Sequence, residues 1–470
     1  MMFNLSAYKG DVSLIDGEHC VTYEMLIHKS NAIAKAIGNR CLVFILCTNT
    51  PASIYGYVGT INNNIVPLLL DYKLDNSLLN ELLNTYKPDY LWLPKSGRHH
   101  FSGMKCVFGD DGYELLKTCY EEPVSLYEDL ALLMTTSGST GSPKLVRLSY
   151  DNIRSNTESI VSYLNIDAGE RAITSLPMHY VYGLSVINTH LYAGASLVVT
   201  EKTMFQREFW DMVKTQAVTS FSGVPYTYTM LEKLRFFRMN LPSLHTLTQA
   251  GGKLDPELHE KFARYAMERG KKFVVMYGAA EATARMGYLP AEYSLAKAGA
   301  MGIAIPGGRF ELSDDNDNII DLADTPGELI YYGPNVSLGY AENKEELANG
   351  DEQHGRLATG DIAQRDQDGF YTVVGRKKRF LKIFGKRINL AEVEHILRQH
   401  FKESEFACTG RDDYLFIFFV GGDMDEKIKS FLVEKIAIHP SALRVLSIPD
   451  LPKNAAGKTL YRELEQYYDL

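Results

Sequence analysis

A short loop in the first third of the chain carries residue types that bind anions. The stretch TTSGSTGSPKLV at 135–146 combines two glycines, a run of hydroxyl side chains and Lys144. Backbone N–H groups freed by the glycines can converge on one point, the hydroxyls add donors, and the lysine adds a positive charge. This composition predicts a phosphate-binding loop, with a flexible Gly/Ser surface turn as the alternative.

The spacing of this loop differs from that of the P-loop of nucleotide-binding proteins. In G-x-x-x-x-G-K-[ST] the glycines are five apart, whereas Gly138 and Gly141 are three apart and Pro143 precedes Lys144. The apolar run LALLMTT lies before the loop, and the alternating stretch KLVRLSY follows it. These flanks predict a strand–loop–strand hairpin rather than the strand–loop–helix unit of a P-loop.

Two further motifs suit a flat ligand and a divalent metal ion. QAGGKL at 249–254 has paired glycines, where the backbone can approach a flat ligand closely. MYGAAEA places Tyr277 and Glu281 around Gly278, just beyond an apolar strand. An aromatic ring and a carboxylate at the C-terminal end of a strand suit stacking and a divalent ion. The alternatives are a core tyrosine and a helix N-terminal charge.

Two motifs in the last quarter of the chain place a carboxylate on a turn and a lysine on a loop. ATGD at 358–361 places Asp361 on a turn, where its carboxylate can accept hydrogen bonds from ribose hydroxyls. LPKNAAGK at 451–458 carries Lys458 on a glycine-bearing loop. Singly, each has a structural alternative as a turn former or a surface lysine. The five motifs together, in this order, are very hard to produce by chance.

Composition excludes several other classes of protein. The chain of 470 residues exceeds one ordinary hydrophobic core, so two or more domains are expected. Its net charge of −9 argues against nucleic acid as a partner. The six cysteines are scattered, which favours reduced thiols over a zinc site or disulfides. No secretory signal is visible, and no apolar run approaches the ~18 residues of a membrane span, so a cytoplasmic protein is expected.

Helical and strand patterns alternate along the first 300 residues, which predicts an α/β fold with a mostly parallel sheet. From about residue 305, short strands with glycine turns replace this pattern, including a hairpin at Asp368-Gly369. RKKRFLKIFGKR at 376–387 then carries seven basic residues in twelve and precedes a small α+β segment. We therefore expect a first domain at 1–377 and a second at 378–470.

The motifs and their order resemble the adenylate-forming, or AMP-binding, superfamily, which includes acyl-CoA synthetases, stand-alone adenylation enzymes and luciferases. The resemblance extends from VTYEML to GKTLYREL, and TSGSTGSPK at 136–144 is its most specific element. It implies a large N-terminal domain of two doubly wound sheets plus a small distorted β-barrel. It also implies a small, mobile α+β C-terminal lid domain that carries the adenylation lysine.

The resemblance assigns roles to individual residues. Those expected to bind the phosphates are Thr136, Ser137, Gly138, Ser139, Thr140, Gly141 and Lys144. Those expected around the adenosine are Gly251, Gly252, Tyr277, Gly278, Asp361 and Arg376. Glu281 is expected to bind Mg²⁺, and Lys378 to be the hinge. His179 and Tyr180 would contact the acid, Lys458 would bridge its carboxylate and the ribose oxygen, and Arg387 would reach toward a phosphate.

The implied activity is ATP-dependent activation of a carboxylic acid to an acyl-adenylate, with release of pyrophosphate and transfer to the thiol of CoA. A stand-alone enzyme that loads a phosphopantetheinyl carrier protein is one alternative, and an inactive nucleotide-binding or scaffold protein is another. Ala280 replaces a threonine of the family motif, which should slow the enzyme. No aspartate stands at 177–185 to bind an α-ammonium group, so a fatty or aryl acid is expected. A monomer or homodimer is expected.

Overall fold

The computed structural model describes residues 2–121, 124–135, 144–314, 316–377, 380–383, 386–411, 414–422, 424–436, 438–454, 457 and 459–468. Helices and strands follow one another closely along the chain. The α-helices are α1 (Tyr23–Ile37), α2 (Pro51–Asn62), α3 (Asn76–Tyr86), α4 (Tyr150–Leu164), α5 (Val181–Ala193), α6 (Arg207–Thr215), α7 (Pro225–Lys233), α8 (Pro256–Glu268), α9 (Leu390–His400) and α10 (Asp425–Ile436).

The strands are short, and most of those before residue 300 are buried. In the first part of the chain they are β1 (Val12–Asp16), β2 (His19–Thr22), β3 (Leu42–Cys47), β4 (Val66–Asp71), β5 (Tyr90–Pro94), β6 (Lys105–Asp110), β7 (Tyr113–Lys117), β8 (Leu130–Thr135), β9 (Leu145–Ser149), β10 (Arg171–Ile173), β11 (Ser196–Val198), β12 (Ser220–Gly223), β13 (Thr246–Gln249), β14 (Lys272–Tyr277), β15 (Gly287–Leu289) and β16 (Ile303–Ala304). In the remainder they are β17 (Arg309–Ser313), β18 (Gly327–Tyr332), β19 (Gly339–Ala341), β20 (Arg356–Arg365), β21 (Tyr371–Arg376), β22 (Phe380–Ile383), β23 (Lys386–Asn389), β24 (Phe406–Arg411), β25 (Tyr414–Val420) and β26 (Leu443–Ile448).

Two large mixed sheets and the helices around them form most of the chain before residue 310. One sheet has nine strands in the order β16-β15-β14-β13-β12-β10-β11-β1-β2, and the other has eight in the order β19-β9-β8-β4-β3-β5-β7-β6. Helices α1, α2, α4 and α5 share one continuous apolar core with both sheets. Because helices cover both faces of each sheet, β3 can be apolar throughout, and all six of its residues are buried. The two predicted doubly wound sheets are confirmed.

The later strands form three small sheets. Strands β17, β18, β20 and β21 make a four-stranded sheet, β22 and β23 a hairpin, and β24 to β26 a three-stranded sheet. The three-stranded sheet packs against α9 and α10 through an apolar cluster. Over the described residues the four-stranded sheet is open where a distorted barrel was expected, since four strands are too few to enclose a layer of side chains.

Contacts within the chain divide it into two compact units. The first unit comprises Met1–Arg309 and Tyr331–Leu357, and the second comprises Phe310–Ile330 and Ala358–Leu470. The four-stranded sheet thus groups mainly with the C-terminal segments, and the boundary between 377 and 378 stays a prediction. Over the described residues, none of the helices combines the length and the apolar character needed to cross a bilayer.

Candidate functional site

Lys144 lies next to a tyrosine that the sequence motifs did not include. Its Nζ lies 3.7 Å from the centroid of the Tyr340 ring and 3.6 Å from Glu342 Oε1. The Tyr340 hydroxyl donates to Glu281 Oε1 at 2.8 Å. The structure therefore brings together the predicted phosphate-binding lysine and the predicted metal-binding carboxylate, with one aromatic ring between them.

Strand pairing explains this cluster. β8 and β9 form the predicted antiparallel hairpin, and β19 pairs with β9 in the register Tyr340↔Val146. Tyr340 therefore lies beside the start of β9 and close to Lys144, although it is far away in sequence. The backbone N–H of Ser337 donates to the carbonyl of Glu281 at 2.8 Å, which holds the two segments together. Burial, and secondarily the Glu281 charge, raises the pKa of Tyr340, so its hydroxyl keeps its proton as a donor.

The donor set at Glu281 fits a magnesium ion that is shared with phosphate oxygens. In the described part of the chain, no three His, Cys, Asp or Glu side chains lie close enough to hold a metal by themselves. Mg²⁺ is commonly bound by one or two protein carboxylates together with substrate phosphates and water. One carboxylate, which Tyr340 connects to the predicted phosphate-binding Lys144, matches that pattern.

The turn after β14 requires glycine at its first position. A Cβ atom at Gly278 would lie 1.7 Å from the carbonyl oxygen of Ala284, far inside van der Waals contact. The returning segment is unusual, since Thr283 has φ +61° and Ala284 has φ +147°. Asn335 stabilises this segment, because its Nδ2 donates to the carbonyls of Ala282 and Arg285 at 2.8 Å each. Gly278 thus positions the turn that carries Glu281.

The paired glycines after β13 lie close to the predicted acid-binding tyrosine. Gly251 has φ +85°, and a Cβ atom there would lie 2.7 Å from the Tyr180 hydroxyl. The carbonyl of Gly252 accepts from Gln249 Nε2 at 2.9 Å. The structure therefore brings the predicted adenine-side glycines and the start of the predicted acid pocket together. Tyr277 ends β14, the neighbouring strand, and is half-buried.

His179 faces an aspartate from another strand. Its Nε2 lies 3.8 Å from Oδ2 of Asp71, the last residue of β4. Burial lowers the pKa of His179, and the Asp71 charge opposes this effect. Asn49 fixes the segment before His179, because its Nδ2 donates to the carbonyls of Thr174 and Leu176 at 3.1 Å each. The segment predicted to contact the acid is thus held in place by the end of the other large sheet.

Asp361 and Arg376 form an ion pair within the second unit. They occupy directly opposed positions on β20 and β21, and Arg376 Nε lies 2.8 Å from Asp361 Oδ1. Asp361 is buried, whereas the Arg376 side chain is 58% exposed. The two residues predicted to contact the nucleoside are therefore neighbours, and the aspartate is oriented by the arginine.

Several predicted residues lie outside the described residues: Thr136, Ser137, Gly138, Ser139, Thr140, Gly141, Lys378 and Lys458. The backbone of Arg387 lies on β23, but its side chain is likewise not described. The segments on either side of Lys458 are described. Lys453 and Thr459 form an antiparallel bridge, and Gly457 has φ +74° with its N–H bonded to the carbonyl of Asn454.

Comparisons with known proteins identify the family of this chain. The profile of a family described as AMP-binding enzyme matches residues 4–341. The 2-succinylbenzoate–CoA ligase of Bacillus cereus strain Q1 is 29% identical over 354 residues, which are 74% of this chain and 72% of the relative. The long-chain-fatty-acid–CoA ligase of Escherichia coli O157:H7 is 29% identical over 365 residues, 73% of this chain and 63% of the relative.

Solved structures show the same fold. The O-succinylbenzoate coenzyme A synthetase of Bacillus subtilis in complex with AMP superposes with a TM-score of 0.80 at 20% identity, covering 99% of this chain and 97% of the other. The same synthetase in complex with its acyl-adenylate intermediate superposes with a TM-score of 0.79 at 22% identity, covering 98% of this chain and 96% of the other. At this identity the likeness establishes the architecture of both large sheets and of the small C-terminal sheets.

Proposed function

Because this chain belongs to the AMP-binding enzyme family, we propose that it activates a carboxylic acid with ATP and transfers the acyl group to the thiol of CoA. The observation that carries the proposal is the cluster of Lys144, Tyr340 and Glu281. In this proposal Lys144 supplies the cation, and Glu281 the carboxylate for Mg²⁺, that the triphosphate of ATP needs. Relatives named CoA ligases support CoA as the acceptor.

The first half-reaction joins the acid to the α-phosphate. A carboxylate oxygen attacks the α-phosphorus, the bond to the bridging oxygen of the β-phosphate breaks, and pyrophosphate leaves. Both reactants are anionic, so positioned cations do most of the work. Lys144 would hold the leaving phosphates, and Glu281 would hold Mg²⁺, which supplies neutralisation of phosphate charge. Lys458 would bridge the acyl carboxylate and the ribose oxygen.

The second half-reaction releases AMP. The thiolate sulfur attacks the acyl carbonyl, and the bond between that carbon and the phosphate oxygen breaks, so AMP leaves with the former carboxylate oxygen. Asp361, oriented by Arg376, would hold the ribose hydroxyls through both steps. The seven basic residues at 376–387 suit a negatively charged ligand, and the nucleotide end of CoA is one such ligand.

A panel of carboxylic acids tests this function. We expect acid-dependent exchange of pyrophosphate into ATP without CoA, and acyl-CoA formation when CoA is added. Acyl-adenylate formation that CoA cannot discharge, but a phosphopantetheinyl carrier protein can, would favour the carrier-loading alternative. No exchange with any acid, although ATP binds, would favour an inactive nucleotide-binding protein.

Replacing Lys144 should impair use of ATP without unfolding the protein. Its side chain is 35% exposed and pairs with an exposed carboxylate, so its contribution to the free energy of unfolding should stay below about 1 kcal/mol. Lys144→Ala should raise the KM for ATP about tenfold or more in the exchange assay. The control is Lys35→Ala on the exposed face of α1. A large fall in melting temperature with unchanged KM would support the surface-turn alternative.

Replacing Glu281 should change the metal requirement. Glu281→Gln keeps the size of the side chain and its bond from Tyr340 but removes the charge that would hold Mg²⁺. We expect half-maximal exchange to need about tenfold more Mg²⁺, and slower adenylation at saturation. The matched control is Glu260→Gln on the solvent side of α8. A magnesium titration identical to that of the wild type would rule out Glu281 as a metal ligand.

A further inference from the structure

A narrow cavity lies in the first unit, between helices α4 and α5 and one face of the nine-stranded sheet. The cavity lies next to the candidate site. Met276 lines the cavity and directly precedes Tyr277, the predicted adenine-stacking residue. The lining residues that bear on its chemistry are Glu170, Tyr182, Ser185, His190, Met276 and Arg285. Sheet–helix interfaces are ordinarily apolar, so a charged side chain in this one is notable.

The charged side chain is Arg285, which is only 3% exposed. Its guanidinium carbon lies 3.9 Å from the centroid of the Tyr182 ring, and Nη2 donates to Ser185 Oγ at 3.1 Å. Nε lies 3.4 Å from Met276 Sδ. These partners are all neutral, and across the described ranges no carboxylate lies within 4 Å of the guanidinium.

A buried cation without a counter-ion is costly, so such groups are normally paired. The backbone of Arg285 is also held rigidly, since its carbonyl accepts from Asn156 Nδ2 and Asn335 Nδ2 at 2.8 Å each. The side chain is therefore held at the cavity, and its described contacts are with neutral groups. A preorganised guanidinium of this kind suits a carboxylate, which it binds through two parallel hydrogen bonds.

The other titratable groups at the cavity do not compete for that role. Burial lowers the pKa of His190 to about 4, so this ring is neutral at neutral pH. Glu170 accepts a hydrogen bond from the Thr219 hydroxyl, and its Oε1 lies 3.5 Å from His245 Nε2. Among the described residues, Arg285 is thus the one positive charge that lines the cavity at neutral pH.

We infer that Arg285 binds a second carboxylate on the acid substrate, so that the enzyme activates one end of a dicarboxylic acid. This inference rests on the proposed function and narrows its substrate class. The reacting carboxylate of the substrate would lie near Tyr180 and Gly251. The second carboxylate would lie beyond Tyr182 and bind the guanidinium of Arg285. The rings of Tyr180 and Tyr182, with centroids 6.4 Å apart, would cover the aliphatic or aryl body between the two charges.

The test compares each diacid with its own monomethyl ester on the wild-type enzyme. The panel holds aliphatic α,ω-diacids of increasing length and aryl diacids, and the readout is pyrophosphate release with ATP and CoA. For the best diacid, kcat/KM should exceed that of the half-ester by about 10²-fold or more, because the ester leaves the guanidinium buried and unpaired. Equal rates for diacid and half-ester would overturn the inference.

Variants locate the effect at Arg285. Arg285→Met should lower kcat/KM for the diacid about 10²-fold and raise it for the half-ester, whereas Arg285→Lys should retain part of the diacid preference. The control is Arg154→Met, on the exposed side of α4. An unchanged preference in a folded Arg285→Met enzyme would also overturn the inference. If that variant does not fold, the wild-type comparison decides.

Failure of the diacid inference can be told apart from failure of the proposed function. If monocarboxylic acids support pyrophosphate release and diacids do not, adenylation stands and the assignment of Arg285 is wrong. If no acid of either class supports it in the presence of ATP and Mg²⁺, the proposed function itself is wrong.

Discussion

Lys458→Ala is expected to slow formation of the acyl-adenylate by about 10²–10³-fold, the usual effect of removing one preorganised electrostatic contact. Charge builds up between the carboxylate and the α-phosphate only in this step, and Lys458 is proposed to bridge these groups. Thioester formation from pre-made acyl-adenylate should be nearly unchanged, because the acyl–phosphate bond already exists. The two half-reactions are measured separately, by single-turnover adenylation and by discharge of added acyl-adenylate.

The matched control for this variant is Lys453→Ala on the same loop. Lys453 pairs with Glu405 at the surface, and exposed pairs of this kind contribute at most about 1 kcal/mol to stability. Both half-reactions should therefore proceed at wild-type rates in the control. Equal damage to the two steps in Lys458→Ala would show that the lysine is structural and would refute its proposed role.

Gly278→Ala should be the most destabilising small substitution near the site. The added methyl would lie 1.7 Å from the carbonyl oxygen of Ala284 and 2.9 Å from the Cα of Arg285, and backbone atoms cannot move aside as a flexible side chain can. We expect a loss of about 3 kcal/mol or more in the free energy of unfolding, measured by urea denaturation. Adenylation should be lost as well, since the turn carries Glu281.

Gly10→Ala provides the control for Gly278→Ala. A Cβ atom at Gly10 would face open space, with no other heavy atom from beyond its chain neighbours within 4 Å. The free energy of unfolding of this variant should therefore differ from that of the wild type by no more than about 0.5 kcal/mol. If Gly278→Ala unfolds at the same urea concentration as the wild type, the close approach of the two backbone segments is not present in solution.

Local sequence patterns predict much of this fold because they depend on neighbours in the chain. The helical spacing in TYEMLIHKSNAIAKAI corresponds to α1, the apolar run CLVFILC to β3, and the alternating flanks of the loop at 136–143 to the β8–β9 hairpin. The turn at Asp368-Gly369 is also present, and Gly369 has φ +87°. Closure of the later strands into a barrel depends on strand number and pairing, which these patterns do not encode.

The parts of the site that sequence motifs missed depend on long-range pairing. Tyr340 reaches Lys144 and Glu281 only because the three-residue strand β19 pairs with β9. Asp71 reaches His179 from the end of β4, which belongs to the other large sheet. In sequence, Arg285 is a lone arginine between ATA and MGYL. Only the structure shows that it is buried and that, among the described residues, no carboxylate lies within 4 Å of its guanidinium. Residues of these kinds carry no local signal.

The route of one oxygen atom tests the account most directly. An accepted acid is labelled with ¹⁸O in its reacting carboxylate and turned over with ATP, Mg²⁺ and CoA, and the nucleotide and phosphate products are analysed by mass spectrometry. Because the carboxylate oxygen attacks the α-phosphorus and stays there when the thiol displaces it, one ¹⁸O should appear in AMP and none in pyrophosphate. Formation of ADP, with ¹⁸O in inorganic phosphate, would mean an acyl-phosphate route and would contradict the account.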